Sequence, residues 1–268
     1  MTEGWVAVRV VSWNLWWRFG PWRERQKAIR SVLRDLRPDI VGLQEVWAAD
    51  GENLAEWLAD ELGLHWTWAA SPAPERWRRR IGDPSVDIGN AVLSRRPMEE
   101  TGVLRLPVPP ELDDGRLALY ARTGPVSFFT AHLTSAPTAT AVRHQQAAAL
   151  AEFARRDGTV IITGDFNAEP DSEELRLFRR HFRDAWSEAD PATPAATWDW
   201  DPELPYRPAG SQQGARIDYV HLGGPGSVRN VRRAGDRPVD GVWPSDHAAV
   251  VVDLMGRSLS PAPGRSDS

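Results

Sequence analysis

Eight polar residues stand where apolar runs stop, and their types are those that bind cations or move protons. Asn14 follows Val8–Trp13, Glu45 follows Ile40–Gln44, and His132 follows Val126–Ala131. Asp165 and Asn167 follow Val160–Gly164, Asp218 sits between Ile217 and Tyr219, and Asp246-His247 comes just before Ala248–Leu254. Carboxylate and amide oxygens suit hard cations, and imidazole is the side chain that changes charge near neutral pH. Strand ends bring rigid backbone to the solvent boundary, so side chains placed there can converge on one point. Taken singly, each has a blander reading. An Asp or Asn after a strand is usually a turn or cap residue, Gly164-Asp165 is a turn signal, and Asp246-His247 reads as a surface ion pair. The ordered set is what points to a single site. His144, on a helix, and His221, inside a strand, read as structural.

Composition narrows the chemistry. The chain has 268 residues and no cysteine, so disulfides, thiolate zinc and cysteine nucleophiles are excluded. Any metal is held by oxygen or imidazole, which favours Mg²⁺ or Mn²⁺. The net charge is −5, not that of a chain built overall to bind nucleic acid. Lys27 is the only lysine, a skew that reads as codon composition. With no basic-then-apolar leader after Met1 and no run near the ~20 residues of a membrane span, a cytoplasmic protein is expected. No coiled-coil heptad or sticky apolar helix is visible, so a monomer with no obligate protein partner is the expectation.

The elements that must position these residues read as follows. Strands are expected at Val6–Trp13, Asp39–Gln44, His65–Ala69, Gly89–Ser94, Thr159–Thr163, Ile217–Leu222 and Ala248–Leu254. Leu117–Ala121 and Val126–Ala131 pair across Thr123-Gly124-Pro125 as a hairpin. Helices are expected at Pro21–Arg37, where Ile29, Val32, Leu33 and Leu36 share a face, at Leu54–Leu62 before Gly63, at Thr138–Arg156, and after a capping box formed by Asp171 and Glu174. Ser71–Pro84 reads as a loop. In Asp165-Phe166-Asn167 an extended backbone would turn both polar side chains the same way. Hairpins beside strand–helix–strand units imply one α/β domain with mixed sheets, over residues 1–255. Residues 256–268, rich in Ser, Pro, Gly and Arg, read as a disordered tail.

Seven stretches in order resemble the endonuclease/exonuclease/phosphatase superfamily, which includes DNase I, AP endonucleases, neutral sphingomyelinases and inositol-phosphate phosphatases. They are Val11-Ser12-Trp13-Asn14, Gly42-Leu43-Gln44-Glu45-Val46, Gly89-Asn90-Ala91-Val92-Leu93-Ser94-Arg95, Thr130-Ala131-His132-Leu133, Gly164-Asp165-Phe166-Asn167, Arg216-Ile217-Asp218-Tyr219-Val220 and Ser245-Asp246-His247. The resemblance implies a four-layer α/β sandwich, with two mixed β-sheets face to face and helices outside. It implies a metal-dependent hydrolase of phosphoester bonds with Mg²⁺ or Mn²⁺ held by Glu45 and Asn14. Asp165 and Asn167 would hold the attacking water and a non-bridging oxygen. His247 would be the acid/base with Asp246 orienting its ring, His132 would donate to the transition state, and Asp218 would support the network. Arg116 matches a phosphate-contacting arginine of some members. Two departures stand out: Ala131 replaces a polar residue, and no lysine follows Glu45-Val46-Trp47 as in AP endonucleases. No carboxylate partner for His132 is obvious, Asp87 being the one candidate.

The substrate is open at this stage. A phosphodiesterase acting on nucleic acid or a related diester is the favoured reading. Its alternatives are a phosphatase or head-group phosphodiesterase on a small substrate, and a catalytically silent binding module. Of the fourteen tryptophans, Trp13, Trp16, Trp17 and Trp22 cluster with Phe19 after Asn14, and are either a wall for a base or acyl chain or core residues. Trp198, Trp200 and Trp243 are placed near the site by sequence. Glu75 to Arg80, with four arginines around Trp77, is the candidate for phosphates beyond the scissile one.

Overall fold

Period-two alternation divides the strands between two environments. Along β1 (Trp5–Asn14), Val8, Val10, Ser12 and Asn14 face one way, and Val11 and Trp13 the other. The computed structural model describes residues 5–112, 115–198 and 214–257. After β1 come α1 (Trp22–Leu36), β2 (Ile40–Ala49), β3 (Glu52–Asn53), α2 (Leu54–Leu62), β4 (His65–Ala70), α3 (Glu75–Ile81), β5 (Asp87–Ser94) and β6 (Glu100–Arg105). The second half holds β7 (Leu117–Thr123), β8 (Val126–His132), α4 (Thr140–Phe153), β9 (Thr159–Asp165), α5 (Glu173–Phe178), β10 (Arg183–Asp184), β11 (Asp218–Gly223), β12 (Ser227–Ala234) and β13 (Ala249–Arg257).

The strands form two mixed sheets. One runs β12-β13-β1-β2-β5-β4 with β3 on β2, and the other runs β10-β11-β9-β8-β7-β6. The parallel pairs are β1/β2 and β8/β9. Val10, Ile40, Val92, Phe128, Ile161 and Val252 fill the space between the sheets. Ile29, Leu33 and Leu58 of α1 and α2 cover the outer face of the first sheet against Val11, Val41 and Leu43. Leu150 of α4 and Leu175 and Phe178 of α5 cover the second against Phe129 and Ile162. The result is a four-layer α/β sandwich, as the resemblance implied.

Several boundaries differ from expectation. The segment read as a loop at Ser71–Pro84 contains α3. Arginines are good helix formers, Trp77 anchors the helix in the core at 4% exposure, and Gly82 closes it in the left-handed region. Ser172, not Asp171, caps α5, its hydroxyl accepting from the Leu175 amide. Strands β6 and β12 lie at sheet edges, where half-exposed residues leave little hydrophobic pattern. β13 pairs with β1 as far as Arg257, two residues past the expected domain boundary. Residues 258–268 of the expected tail, and Trp200, lie outside the described residues.

Candidate active site

Two parallel strand pairs end at the same edge, and the polar residues sit on those ends. Asn14 terminates β1 and lies opposite Gln44 of β2, while His132 of β8 is in register with Asp165 of β9. Asp218 opens β11 directly across from Asp165. Their side chains face the space between the sheets, by the same alternation that buries Val10 and Phe128. The sheets approach closely just beneath. A Cβ on Gly42 would run into the Thr163 hydroxyl, so only glycine fits there. Gln44 Nε2 donates across the gap to Thr130 Oγ1 at 2.8 Å, and Asn90 Nδ2 to the Leu117 carbonyl at 3.0 Å.

Glu45 does not end its strand, contrary to expectation. β2 continues to Ala49, and its pairing with β5 shifts register between Leu43 and Val46. Glu45 sits at that irregularity with φ 54°, an unfavourable region for a non-glycine residue. Strict alternation would send its side chain outward under the helices. The kink turns it to the site, where Asn14 Nδ2 lies 3.4 Å from Glu45 Oε1 and 3.0 Å from Asp165 Oδ2.

The two histidines of the site have opposite character. His247 Nδ1 lies 2.8 Å from Asp218 Oδ2, with Asp218 fully buried. Burial pushes the His247 ring down, but Asp218 and then Asp246 more than reverse this, and it rests well above the ordinary histidine value. The Asp218 carboxylate at hydrogen-bond distance therefore favours the imidazolium form of His247. Asp218, not Asp246, orients the ring, a correction to the sequence reading. Sequence spacing favoured the neighbour, whereas the sandwich brings in a strand 29 residues away. His132 is buried, and its nearest carboxylate is that of Asp165, with Oδ2 3.4 Å from Nε2. Asp87 is instead paired with Arg78 at 2.6 Å. Burial, then Arg116, His247 and Arg76, hold His132 well below its ordinary value, so it is a neutral ring.

Asp165 joins the two halves of the site. Its Oδ2 is 3.4 Å from His132 Nε2 and 3.7 Å from His247 Nε2. Burial, then Asp218, raise its pKa. Asn167 does not continue the extended run. The chain turns at φ 48°, Asp165 Oδ1 accepts the Asn167 amide at 2.9 Å, and Asn167 Nδ2 donates to the Leu133 carbonyl at 3.0 Å.

The donor set fits a divalent cation. Glu45 Oε2 and Asp218 Oδ1 are buried without a hydrogen-bond partner among the described residues, a costly state for a carboxylate. Burial and then Asp246 raise the Glu45 pKa, and burial raises that of half-buried Asp246. Asp165, Asp218 and His247 also bring ligand atoms within 4.8 Å of one another, but there His247 Nδ1 and Asp218 Oδ2 already engage each other at 2.8 Å. The Glu45 and Asp246 carboxylates, with Asn14 beside them, are the better seat.

Three residues to which the sequence reading gave no role hold this arrangement. Arg25, 1% exposed, donates to five backbone carbonyls, those of Leu15, Trp16, Trp17, Phe19 and Pro244, at 2.8–3.0 Å. Burial lowers its pKa to about 10, so it stays charged and ties the turn after Asn14 to the segment before Asp246. Thr197 Oγ1 accepts the Ile217 and Asp218 amides, both at 3.1 Å. Ser245 Oγ donates to the Asn14 carbonyl at 2.7 Å and accepts the His247 amide at 3.1 Å. A lone arginine at a buried helix position (Arg25 between Trp22 and Ile29) was the one signal available.

Of the aromatic cluster around Asn14, Trp13, Trp16, Trp17 and Phe19 are core residues, at most 6% exposed, and half-buried Trp22 packs against them. Trp13 Nε1 nonetheless donates to the His247 carbonyl at 2.9 Å. Half-buried Trp198 has its ring tilted 34° to that of His247, centroids 6.4 Å apart, and Trp243 is half-buried. Arg116 is buried against the Trp77 ring. His221 lies outside the site, a neutral core histidine stacked on Tyr219 and lowered to about 4 by burial.

A family model described as the endonuclease/exonuclease/phosphatase family matches residues 11–247. No curated protein matches the sequence. Among solved structures, an endonuclease/exonuclease/phosphatase from Beutenbergia cavernae is similar over 93% of this chain and 71% of its own, with 22% identity and a TM-score of 0.74. D. rerio TDP2 complexed with a single-strand DNA product is similar over 92% of this chain and 98% of its own, with 18% identity and a TM-score of 0.74. The human Nocturnin catalytic domain with bound sulfate is similar over 94% and 97%, with 20% identity and a TM-score of 0.70. At these identities the likeness is one of fold.

Proposed function

The chain belongs to the endonuclease/exonuclease/phosphatase family, and from that premise we propose that this phosphoester hydrolase is a Mg²⁺- or Mn²⁺-dependent phosphodiesterase acting on nucleic acid or a related diester. The observation that carries the reading is the Asp218–His247 pair at 2.8 Å beside a buried Asp165 and a Glu45 carboxylate whose Oε2 has no hydrogen-bond partner among the described residues.

Glu45 and Asp246, with Asn14, would hold the cation, which supplies charge neutralisation at a phosphoryl oxygen. An imidazolium cannot accept a proton, so His247 is the acid, donating from Nε2 to the leaving or a non-bridging oxygen. Asp165, with its raised pKa, is the acceptor for the proton of the attacking water. Neutral His132 donates a hydrogen bond to the developing negative charge, and Asn167, fixed by Leu133, positions the phosphate. Arg116 adds positive potential at the substrate side. Trp198 forms the wall against which a base or other planar group would rest.

The test uses bis-p-nitrophenyl phosphate and p-nitrophenyl phosphate side by side, with Mg²⁺, with EDTA, and with His247→Ala. Diester preference lost in both controls is expected. Preference for the monoester would move a small-substrate phosphatase ahead. Equal rates with and without EDTA would end the metal-dependent reading.

A further inference from the structure

At the opposite end of β9 and β11 from the carboxylates lies a second concave surface. Its two lobes, each about 530 Å³, share His181, Phe182, Gly223 and Gly224. Gly223, shared by both lobes, pairs with Val160 and Asp218 with Asp165, so five residues, about 17 Å of strand, separate the shared part of the trough from the catalytic edge, while Arg216, two residues before Asp218, reaches into one lobe from the catalytic side. Six arginines line it (Arg155, Arg156, Arg179, Arg180, Arg183 and Arg216) against two aspartates, Asp157 and Asp184. That excess stands out in a chain of net charge −5.

The guanidiniums are not all occupied. Arg155, Arg183 and Arg216 have carboxylate partners in Glu152, Glu188 and Asp184. Arg179 and Arg180 are exposed and have no ion pair or side-chain hydrogen bond among the described residues. Arg179 and Arg180 follow the last turn of α5, so the helix holds two adjacent cations at the rim. Half-buried Trp186 lines the same trough, with the Arg216 guanidinium 5.9 Å from its ring. Unpaired arginines around a concave surface suit a chain of phosphates, and a partly exposed indole among them suits an unstacked base. Lipid head groups would use the cations but leave the recessed indole without a role.

We propose that this trough is a docking site for single-stranded nucleic acid, separate from the catalytic edge. It would hold a polymer while another part of it enters the active site, or hold it without hydrolysis. The site is independent of the phosphodiesterase reading, because binding is measured with the metal removed.

The experiment is fluorescence anisotropy of a labelled twenty-residue oligothymidylate with the full chain in EDTA, from 50 to 200 mM NaCl. The proteins compared are wild type, Arg179→Glu/Arg180→Glu, Trp186→Ala and Glu45→Gln. The double arginine variant should weaken binding at least tenfold and flatten the salt slope by roughly 0.7 for each phosphate that is no longer neutralised. Trp186→Ala should weaken it about fivefold or more. Both should keep the wild-type rate on bis-p-nitrophenyl phosphate, the double arginine variant should also keep the wild-type melting temperature, and Glu45→Gln should bind normally. Unchanged affinity in the two trough variants overturns the proposal, as does a change in affinity confined to Glu45→Gln, which would place binding at the catalytic edge. Binding of anionic phosphatidylglycerol vesicles without binding of the oligonucleotide overturns it in favour of a lipid surface.

Discussion

Replacing Asp218 by Asn separates its role from that of Asp246. Asn keeps the size and an oxygen that can accept from His247 Nδ1, but it removes the charge facing the ring at 2.8 Å. Both partners are buried, at 0% and 6% exposure. Removing one partner of such a pair costs about 3–5 kcal/mol. With the hydrogen bond retained, about 3 kcal/mol is the share expected for the charge, which is about two pKa units at 1.36 kcal/mol each. The sign follows from the causes of the shift. Burial alone lowers the His247 pKa, and Asp218 is the first of the groups that raise it. Without that charge the imidazolium is lost at lower pH. In kcat/KM on bis-p-nitrophenyl phosphate against pH, at saturating Mg²⁺, the alkaline limb should move toward acid by about two units. Above the wild-type limb the rate should fall by up to about 10²-fold. Asp246→Asn should instead raise the Mg²⁺ concentration needed for half-maximal rate and move the limb less. An Asp218→Asn profile with its alkaline limb unmoved would refute the assignment of His247 as the acid held charged by Asp218.

Other perturbations probe the supports. The folded-state pKa of Glu45 is raised, first by burial, so its ionised form opposes folding increasingly as pH rises above its unfolded value. Glu45→Gln should therefore raise the melting temperature of the metal-free protein more at pH 8 than at pH 5, while abolishing the rise that MgCl₂ gives the wild type. A lower melting temperature at pH 8 in EDTA would contradict the unpartnered-carboxylate reading. Thr197→Val strands two buried amides at about 1–3 kcal/mol each, and urea titration should show that destabilisation together with reduced turnover. Arg25→Met should cost about 3–5 kcal/mol by leaving five carbonyls without their cation, and Arg25→Lys, with three donors for those five acceptors, should recover part of it in the same titration.

The ordered motifs carried the family and, through the resemblance, the two-sheet sandwich, while strand periodicity carried the mixed strands and the facing of Asn14, His132, Asp165 and Asp218, because alternation decides which side chains share a face whatever lies opposite. The hairpin at Gly124 and the helix ending at Gly63 were legible for the same local reason. Other features were not legible. Strict period two would turn Glu45 away from Asn14, and only the kink in β2 brings it back. Asn167 was expected to extend the run of Asp165, but the turn stabilised by the Asp165 carboxylate redirects it. The partner of His247 is its chain neighbour in the sequence reading and a residue 29 positions away in the fold. The Arg25 clamp and the basic trough likewise join residues far apart in the chain. Local sequence specifies backbone preference and facing. Which charge meets which is decided by the distance between strands and sheets, and electrostatic partnership falls off over a few ångströms that only the folded chain sets.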